Sequence, residues 1–287
     1  MFPTLIDIGG FRITTFGLML VLSILTGAWV LSKQLERREI DGAVAWDVAT
    51  WVAIAGVLGA KLYFLALHWR AVVADPLGEL LSRGGLVWYG GLLGGVLTFY
   101  WQVRRRNLPL GKMFDATAPA LMLAYAVGRI GCFLVGDDYG LPTNGWMGIA
   151  FPEGAPPSTA GYLRSVGADI PLSVPDATVL AVHPTQLYEV AAALVLFAIL
   201  WKVSSRAWRP GRLFGLYLAL YGVERFLIEF VRAKGDRFVF GLSTSQVASL
   251  ILFVIAAYLW RPAGAPAGAT AMSGREAAAP ARSQASK

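Results

Sequence analysis

Three stretches of this chain, residues 13–32, 84–103 and 238–260, contain no Asp, Glu, Lys or Arg. Each is long enough to cross a hydrocarbon core, which takes roughly 20 helical residues. Four further stretches are apolar but interrupted by charge. They are 48–67 with Lys61, 116–136 with Arg129, 184–201 with Glu189, and 213–231 with Glu224, Arg225 and Glu229. The pattern predicts an all-α polytopic membrane protein with seven transmembrane helices. Composition agrees: 56% of the 287 residues are hydrophobic and 15% charged, whereas a soluble domain carries about 25% charge. The single cysteine, Cys132, excludes an intramolecular disulfide and a multi-cysteine metal site. The net charge of +7 does not imply a nucleic-acid partner, because the cytoplasmic loops of a membrane protein are rich in Lys and Arg anyway.

With the N-terminus outside, the cytoplasmic segments hold fifteen Lys and Arg and the opposite side seven. This asymmetry favours an N-out, C-in arrangement. The opening residues MFPTLIDIGGFRITTF lack a basic region and do not read as a cleaved signal peptide. Residues 137–182 form the single long loop, rich in Pro and Gly, and are expected to make a small external cap between the fourth and fifth helices. The expected membrane domain is 1–261. Beyond it, 262–287 has no Leu, Ile, Val or aromatic residue and is expected to be a disordered cytoplasmic tail. The sequence has no visible internal repeat, which counts against a transporter built on inverted repeats.

Six ionisable residues fall inside the apolar stretches: Lys61, Arg129, Glu189, Glu224, Arg225 and Glu229. Such residues are costly in a membrane and mark function by default. A structural ion pair explains any one of them equally well, but six together point to a site. Tyr221, Arg225, Glu229 and Arg232 are spaced to share one helix face. Arg225 and Glu229 are expected to pair and leave guanidinium donors for an oxyanion, with an Arg fork matching phosphate geometry. Glu224 lies off that face. Arg129 sits between Gly128 and Gly131 in GRIGCFLVGDDYG, with Cys132 as a small apolar filler. The run GGLVWYGGLLGG holds Tyr89, Gly90 and Gly91, and reads either as a close-packing surface or as a loop entering the membrane. Tyr89 is as readily an interfacial anchor as a site residue. In HPTQLYE, Pro184 suits a first helical turn and sets His183 near the cap of a helix, with Gln186 and Glu189 on one face.

HPTQLYE, GRIGCF, GGL…YGGLLGG and YGVERFLIEFVR, together with FGLM, GAKLYF and LSTSQVASL, run in order from about residue 17 to 249. In combination they resemble the prolipoprotein diacylglyceryl transferase family. The resemblance implies seven transmembrane helices with the N-terminus outside, in the bacterial plasma (inner) membrane. It implies transfer of the diacylglyceryl group of phosphatidylglycerol to the lipobox cysteine thiol of a preprolipoprotein, the first step of lipoprotein maturation, with release of glycerol 1-phosphate. The implied partners are phosphatidylglycerol, the lipobox peptide and membrane lipids, and no metal or organic cofactor is implied. Arg129 and Arg225 fall on the essential arginines. Tyr221, Glu229 and Arg232 fall on the same-face motif, and His183, Gln186, Tyr188 and Glu189 on the fifth-helix motif. Gly90 and Gly91 join the substrate-binding positions. The sequence departs from the family at Tyr89, where many members have His, at Phe16, where many have Tyr, and at Cys132, where many have Asn. A Tyr with a pKa of about 10 is a poor base at neutral pH. The proton acceptors to test are Tyr89, then His183, then Glu229. These departures also motivate a second reading, a catalytically divergent or non-catalytic lipid-binding relative with another acceptor.

Overall fold

The computed structural model describes residues 4–8, 11–82, 85–236 and 241–261. The expected tail at 262–287 lies outside these, as do Gly84 and the first residues, 238–240, of the expected seventh span. A hairpin of β1 (Thr4–Ile8) and β2 (Phe11–Thr14) leads into α1 (Thr15–Glu36), α2 (Ala43–Leu67), the short α3 (Trp69–Ala74) and α4 (Pro76–Leu81), α5 (Trp88–Arg105) and α6 (Leu110–Val135). The cap holds β3 (Ile149–Ala150), α7 (Ala160–Ser165) and β4 (Ala181–Val182), and α8 (Thr185–Val203), α9 (Arg212–Ile228) and α10 (Thr244–Trp260) follow.

Each apolar stretch of the sequence carries one long helix. By length and composition, α1, α2, α6 and α8 can cross a membrane, and α10 is apolar but shorter. Only 11% of the apolar window of α2 is buried inside the protein, so its outward face suits lipid rather than water. The chain is a mostly helical, polytopic membrane protein. The all-α expectation needs a correction, since β1 pairs with β2 and β3 with β4, both antiparallel. The β3–β4 pair, with Ile149 opposite Val182, joins two distant parts of the long loop whose amides have no helix to satisfy them.

Local chemistry sets the helix ends. Thr14 caps α1 by accepting from the Gly17 amide at 3.1 Å. Ser243 and Gln246 make a reciprocal capping box on α10. Gly136 ends α6 in the left-handed region at φ 76°. The start of α9 is capped from another helix: Asp115 of α6 accepts from the Gly211 amide at 2.9 Å and the Phe214 amide at 2.8 Å.

The main packed pairs are α1 on α6, α2 on α5, α6 on α8 and α9 on α10. The glycine-rich run is helical from Trp88 onward and is a close-packing surface. A Cβ on Gly90 would lie 2.3 Å from the Gly59 carbonyl oxygen, and one on Gly94 would lie 2.4 Å from that of Ala55. The cap has a core of its own around Tyr139, Phe151, Leu163 and Val182. The Tyr139 ring stacks on Phe151 and its hydroxyl donates to the Pro156 carbonyl at 2.9 Å.

Candidate active site

Arg129 lies in the last turns of α6, Glu189 in the first turns of α8, and Arg225 near the end of α9. All three therefore come to the cap side of the helices. Past Gly136 the chain turns at Asp138, which holds φ at 58°, a conformation Asp tolerates better than most residues. The turn is tied down from two sides. Gln186 Nε2 donates to the Asp137 carbonyl at 2.5 Å and Thr185 Oγ1 to the Asp138 carbonyl at 2.8 Å. The Leu141 amide donates to the Val231 carbonyl at 2.8 Å. This arrangement carries the Asp138 carboxylate back toward α6 and α9.

The charged side chains close into a ring. Arg129 pairs with Asp138 at 2.9 Å and with Glu189 at 3.0 Å. Glu189 pairs with Arg225, which pairs with Glu229 at 3.4 Å. Glu229 lies 3.7 Å from Arg232, and Arg232 pairs with Asp138. Three guanidinium groups thus alternate with three carboxylates, and their formal charges cancel. Glu189 is fully buried, and Arg225, Glu229 and Arg232 nearly so. Removing so many charges from water is expensive unless each is paired, and alternation supplies the pairing.

Aromatic residues wall one side. Glu189 also accepts from the Tyr125 hydroxyl at 2.8 Å. The Tyr125 ring meets Tyr221 edge-on at 5.4 Å and lies under the Arg129 guanidinium at 5.2 Å. Tyr221 stacks on Tyr217 at 5.8 Å. Several buried polar atoms around the ring have no partner among the described residues: Glu189 Oε2, Glu229 Oε1, Gln186 Oε1 and Arg129 Nε.

Two aspartates at the cap entrance respond oppositely to their surroundings. Burial pushes the Asp137 carboxyl up. Burial pushes Asp138 up as well, but Arg232 and then Arg129 outweigh it, and the net direction is down.

The ring corrects the sequence reading in two respects. First, the six charges within the apolar stretches do not all meet. Lys61 donates instead to the Ser82 carbonyl and hydroxyl, both at 2.9 Å. Glu224 lies off the Arg225 face as expected, with both oxygens unpartnered among the described residues. Arg232 and Asp138 complete the set. Second, Arg225 does not keep donors free. Its two terminal nitrogens reach Glu189, Tyr125, Glu229 and Ser245, because three helices converge on it.

The remaining expected residues are placed unequally. Gln186 joins the ring's support through Asp137. His183 Nδ1 lies 3.2 Å from the Tyr188 hydroxyl, and the two make a pair of their own. Tyr89 is half-exposed at the start of α5, edge-on to Trp88 at 5.3 Å. Gly90 and Gly91 face α2. No side-chain hydrogen bond, ion pair or ring contact among the described residues joins Tyr89, His183 or Tyr188 to the ring. Cys132 Sγ is 3.7 Å from Arg129 Nη1. Cys132, Asp137 and Asp138 bring donor atoms within 4.8 Å of one another, but both Asp138 oxygens are already engaged by arginines. The sequence reading missed Tyr125, Asp138 and Ser245 as site members. Tyr125 was within reach, since it stands one helical turn before Arg129. Asp138 lies inside the run GRIGCFLVGDDYG that carries Arg129. Ser245 lies within LSTSQVASL, but nothing in its spacing ties it to Arg225 twenty positions earlier.

Residues 3–261 match the family model described as prolipoprotein diacylglyceryl transferase. The chain is similar to the phosphatidylglycerol–prolipoprotein diacylglyceryl transferase of Clostridium tetani, with 32% identity over 263 residues, covering 91% of this chain and 97% of the relative. The Gloeobacter violaceus protein of that name is 31% identical over 265 residues, covering 90% and 91%. That of Symbiobacterium thermophilum is 33% identical over 270 residues, covering 91% and 94%.

Proposed function

The chain belongs to the prolipoprotein diacylglyceryl transferase family, and on that premise we propose how its residues carry out the reaction. It is a transferase that moves the diacylglyceryl group of phosphatidylglycerol to prolipoprotein, the first step of lipoprotein maturation. In our reading the acceptor is the thiol of a lipobox cysteine. The sulfur attacks the glyceryl carbon that bears the phosphodiester. A carbon–sulfur bond forms as the carbon–oxygen bond breaks, the bonding pair leaves with glycerol 1-phosphate, and the thiol proton passes to a base.

The alternating ring is the observation that carries this assignment of roles. It holds Arg129 and Arg225 charged and close together, joined through the single oxygen of Glu189 Oε1. Donors fixed in place before the reaction stabilise charge that develops in the transition state. A phosphodiester arriving between the arginines competes with the carboxylates for those donors, while Arg129 Nε, buried and unpartnered among the described residues, is available at once. Tyr221, Tyr125 and Gln186 shape the surroundings. Of the three proton acceptors, geometry supports Glu229 best. Its Oε1 is buried without a partner among the described residues, while its other oxygen touches Arg225.

In the same reading the seven long helices all span the inner membrane of a bacterium, N-terminus outside, and the cap lies on the outer side above the ring. The experiment is transfer by the purified protein from phosphatidylglycerol to a lipobox peptide, read by peptide mass. A diacylglyceryl-sized gain that disappears when the peptide Cys is replaced by Ser is expected. A gain that survives that replacement would overturn the thiol as acceptor.

A further inference from the structure

The helix ends opposite the cap carry a second concentration of charge. A recess of about 600 Å³ is lined there by Arg37, Arg38, Lys112, Asp115, Arg206 and Trp208, among others. Lys112 and Arg129 stand at opposite ends of α6, roughly 25 Å apart at 1.5 Å per residue, so this recess is separate from the ring. Four cations face one carboxylate, and that carboxylate is occupied with capping α9. Two of the cations are held in position. Arg38 Nη1 donates to the Gln34 side chain at 2.6 Å, and the Arg37 guanidinium lies 4.0 Å over the Trp201 ring. The other two, Lys112 and Arg206, make no side-chain hydrogen bond or ion pair among the described residues. Arginines elsewhere on the surface do find carboxylates, as in Arg106 with Asp47 and Arg164 with Asp176.

Arg37 also lines an adjoining recess of about 400 Å³ with Trp29, Lys33, Glu36 and Trp201. Trp29 is half-exposed, and exposed Leu25 and Leu22 continue from it along the same face of α1. Tryptophan collects at headgroup level. A cationic recess therefore opens beside an aromatic one and then an apolar stripe, in the order phosphate, glycerol and acyl chain follow in a phospholipid. We propose that this recess is a second lipid site, which takes the phosphodiester of an anionic phospholipid from the adjacent leaflet. Basic recesses between membrane helices recognise such headgroups.

The test is native mass spectrometry of the full chain in detergent, titrated with dioleoyl phosphatidylglycerol, zwitterionic phosphatidylcholine, glycerol 1-phosphate or inorganic phosphate. Wild type is expected to retain two phosphatidylglycerol molecules. Lys112→Gln combined with Arg206→Gln should weaken the second binding event roughly 30-fold, the factor for two basic side chains at a charged surface. Arg225→Gln should leave that event unchanged, and so should Arg206→Lys, which keeps the charge. Undiminished second binding in the double variant, or its loss in Arg206→Lys, would overturn the role of charge. Equal binding of phosphatidylcholine would overturn anionic recognition. Equal protection of the site by glycerol 1-phosphate or inorganic phosphate would overturn the lipid source in favour of a soluble ligand.

Discussion

Glu189 binds both Arg129 and Arg225 through one oxygen and takes the Tyr125 hydroxyl there as well. Glu189→Gln keeps the shape but leaves two guanidinium groups buried without that charge. Breaking a buried ion pair costs about 3–5 kcal/mol, so this variant should lose transfer activity and also melt at a lower temperature in detergent. Arg129→Ala and Arg225→Ala should each lower transfer by at least roughly 10²-fold, the usual cost of one transition-state donor, while the protein still inserts. Full activity in either variant would remove the phosphate clamp. Glu229→Gln should cost roughly 10²–10⁴-fold if Glu229 takes the thiol proton, against a small effect for Tyr89→Phe. The reverse order would return the base to α5. Asp138 and Asp137 should differ in sign across a pH series of thermal melts. Asp138 is held below its ordinary value by Arg232 and Arg129, against burial. Its stabilisation is therefore complete above the unfolded carboxyl value of about 3.9 and is lost as pH falls through the folded value. Asp138→Asn should then be destabilised at neutral pH and converge with wild type in acid. Asp137 is raised by burial, so its contribution is present in acid and lost as pH rises through the folded value. Asp137→Asn should gain relative to wild type at neutral pH.

At the scale of elements, the contact of α2 with α5 depends on glycine. A Cβ on Gly90 would come within 2.3 Å of a backbone oxygen, whereas one on Gly91 would stay 3.2 Å from the Gly56 oxygen. Backbone cannot rotate away as a side chain can. Gly90→Ala should therefore cost about 1–3 kcal/mol by overpacking, visible as a lower melting temperature, and Gly91→Ala distinctly less. The sequence left this run open between a packing face and a re-entrant loop, because the same glycines serve either and only the partner helix distinguishes them. The capping of α9 by Asp115 was illegible for a related reason. The residue before α9 is Gly211, with φ at 91° and no side chain to cap the helix, and the substitute arrives from nearly a hundred positions away.

The whole molecule places the cap and ring at one end and the basic recess at the other. If the excess of Lys and Arg sets orientation, then in a Cys132→Ala background a cysteine at Asn144 should react with an impermeant maleimide from outside intact spheroplasts. One at Ser205 should react only after permeabilisation, and the opposite pattern would reverse the orientation. The sequence by itself determined the apolar stretches, their helical state and the separation of a long loop, because length and polarity answer to the membrane locally. It also determined that Arg225 and Glu229 lie one helical turn apart, because helical period is local too. Arg232, expected on the same helix face, instead falls beyond the end of α9 at Ile228 and bridges to Gly140. Only the tertiary structure decided which charges meet. Lys61 was excluded and Asp138 recruited because α2 packs on α5, away from the ring, while the left-handed turn at Asp138 folds back over α6 and α9. A buried charge is tolerable only beside its counter-charge, and which counter-charge lies within 4 Å is set by helix packing between segments far apart in the chain.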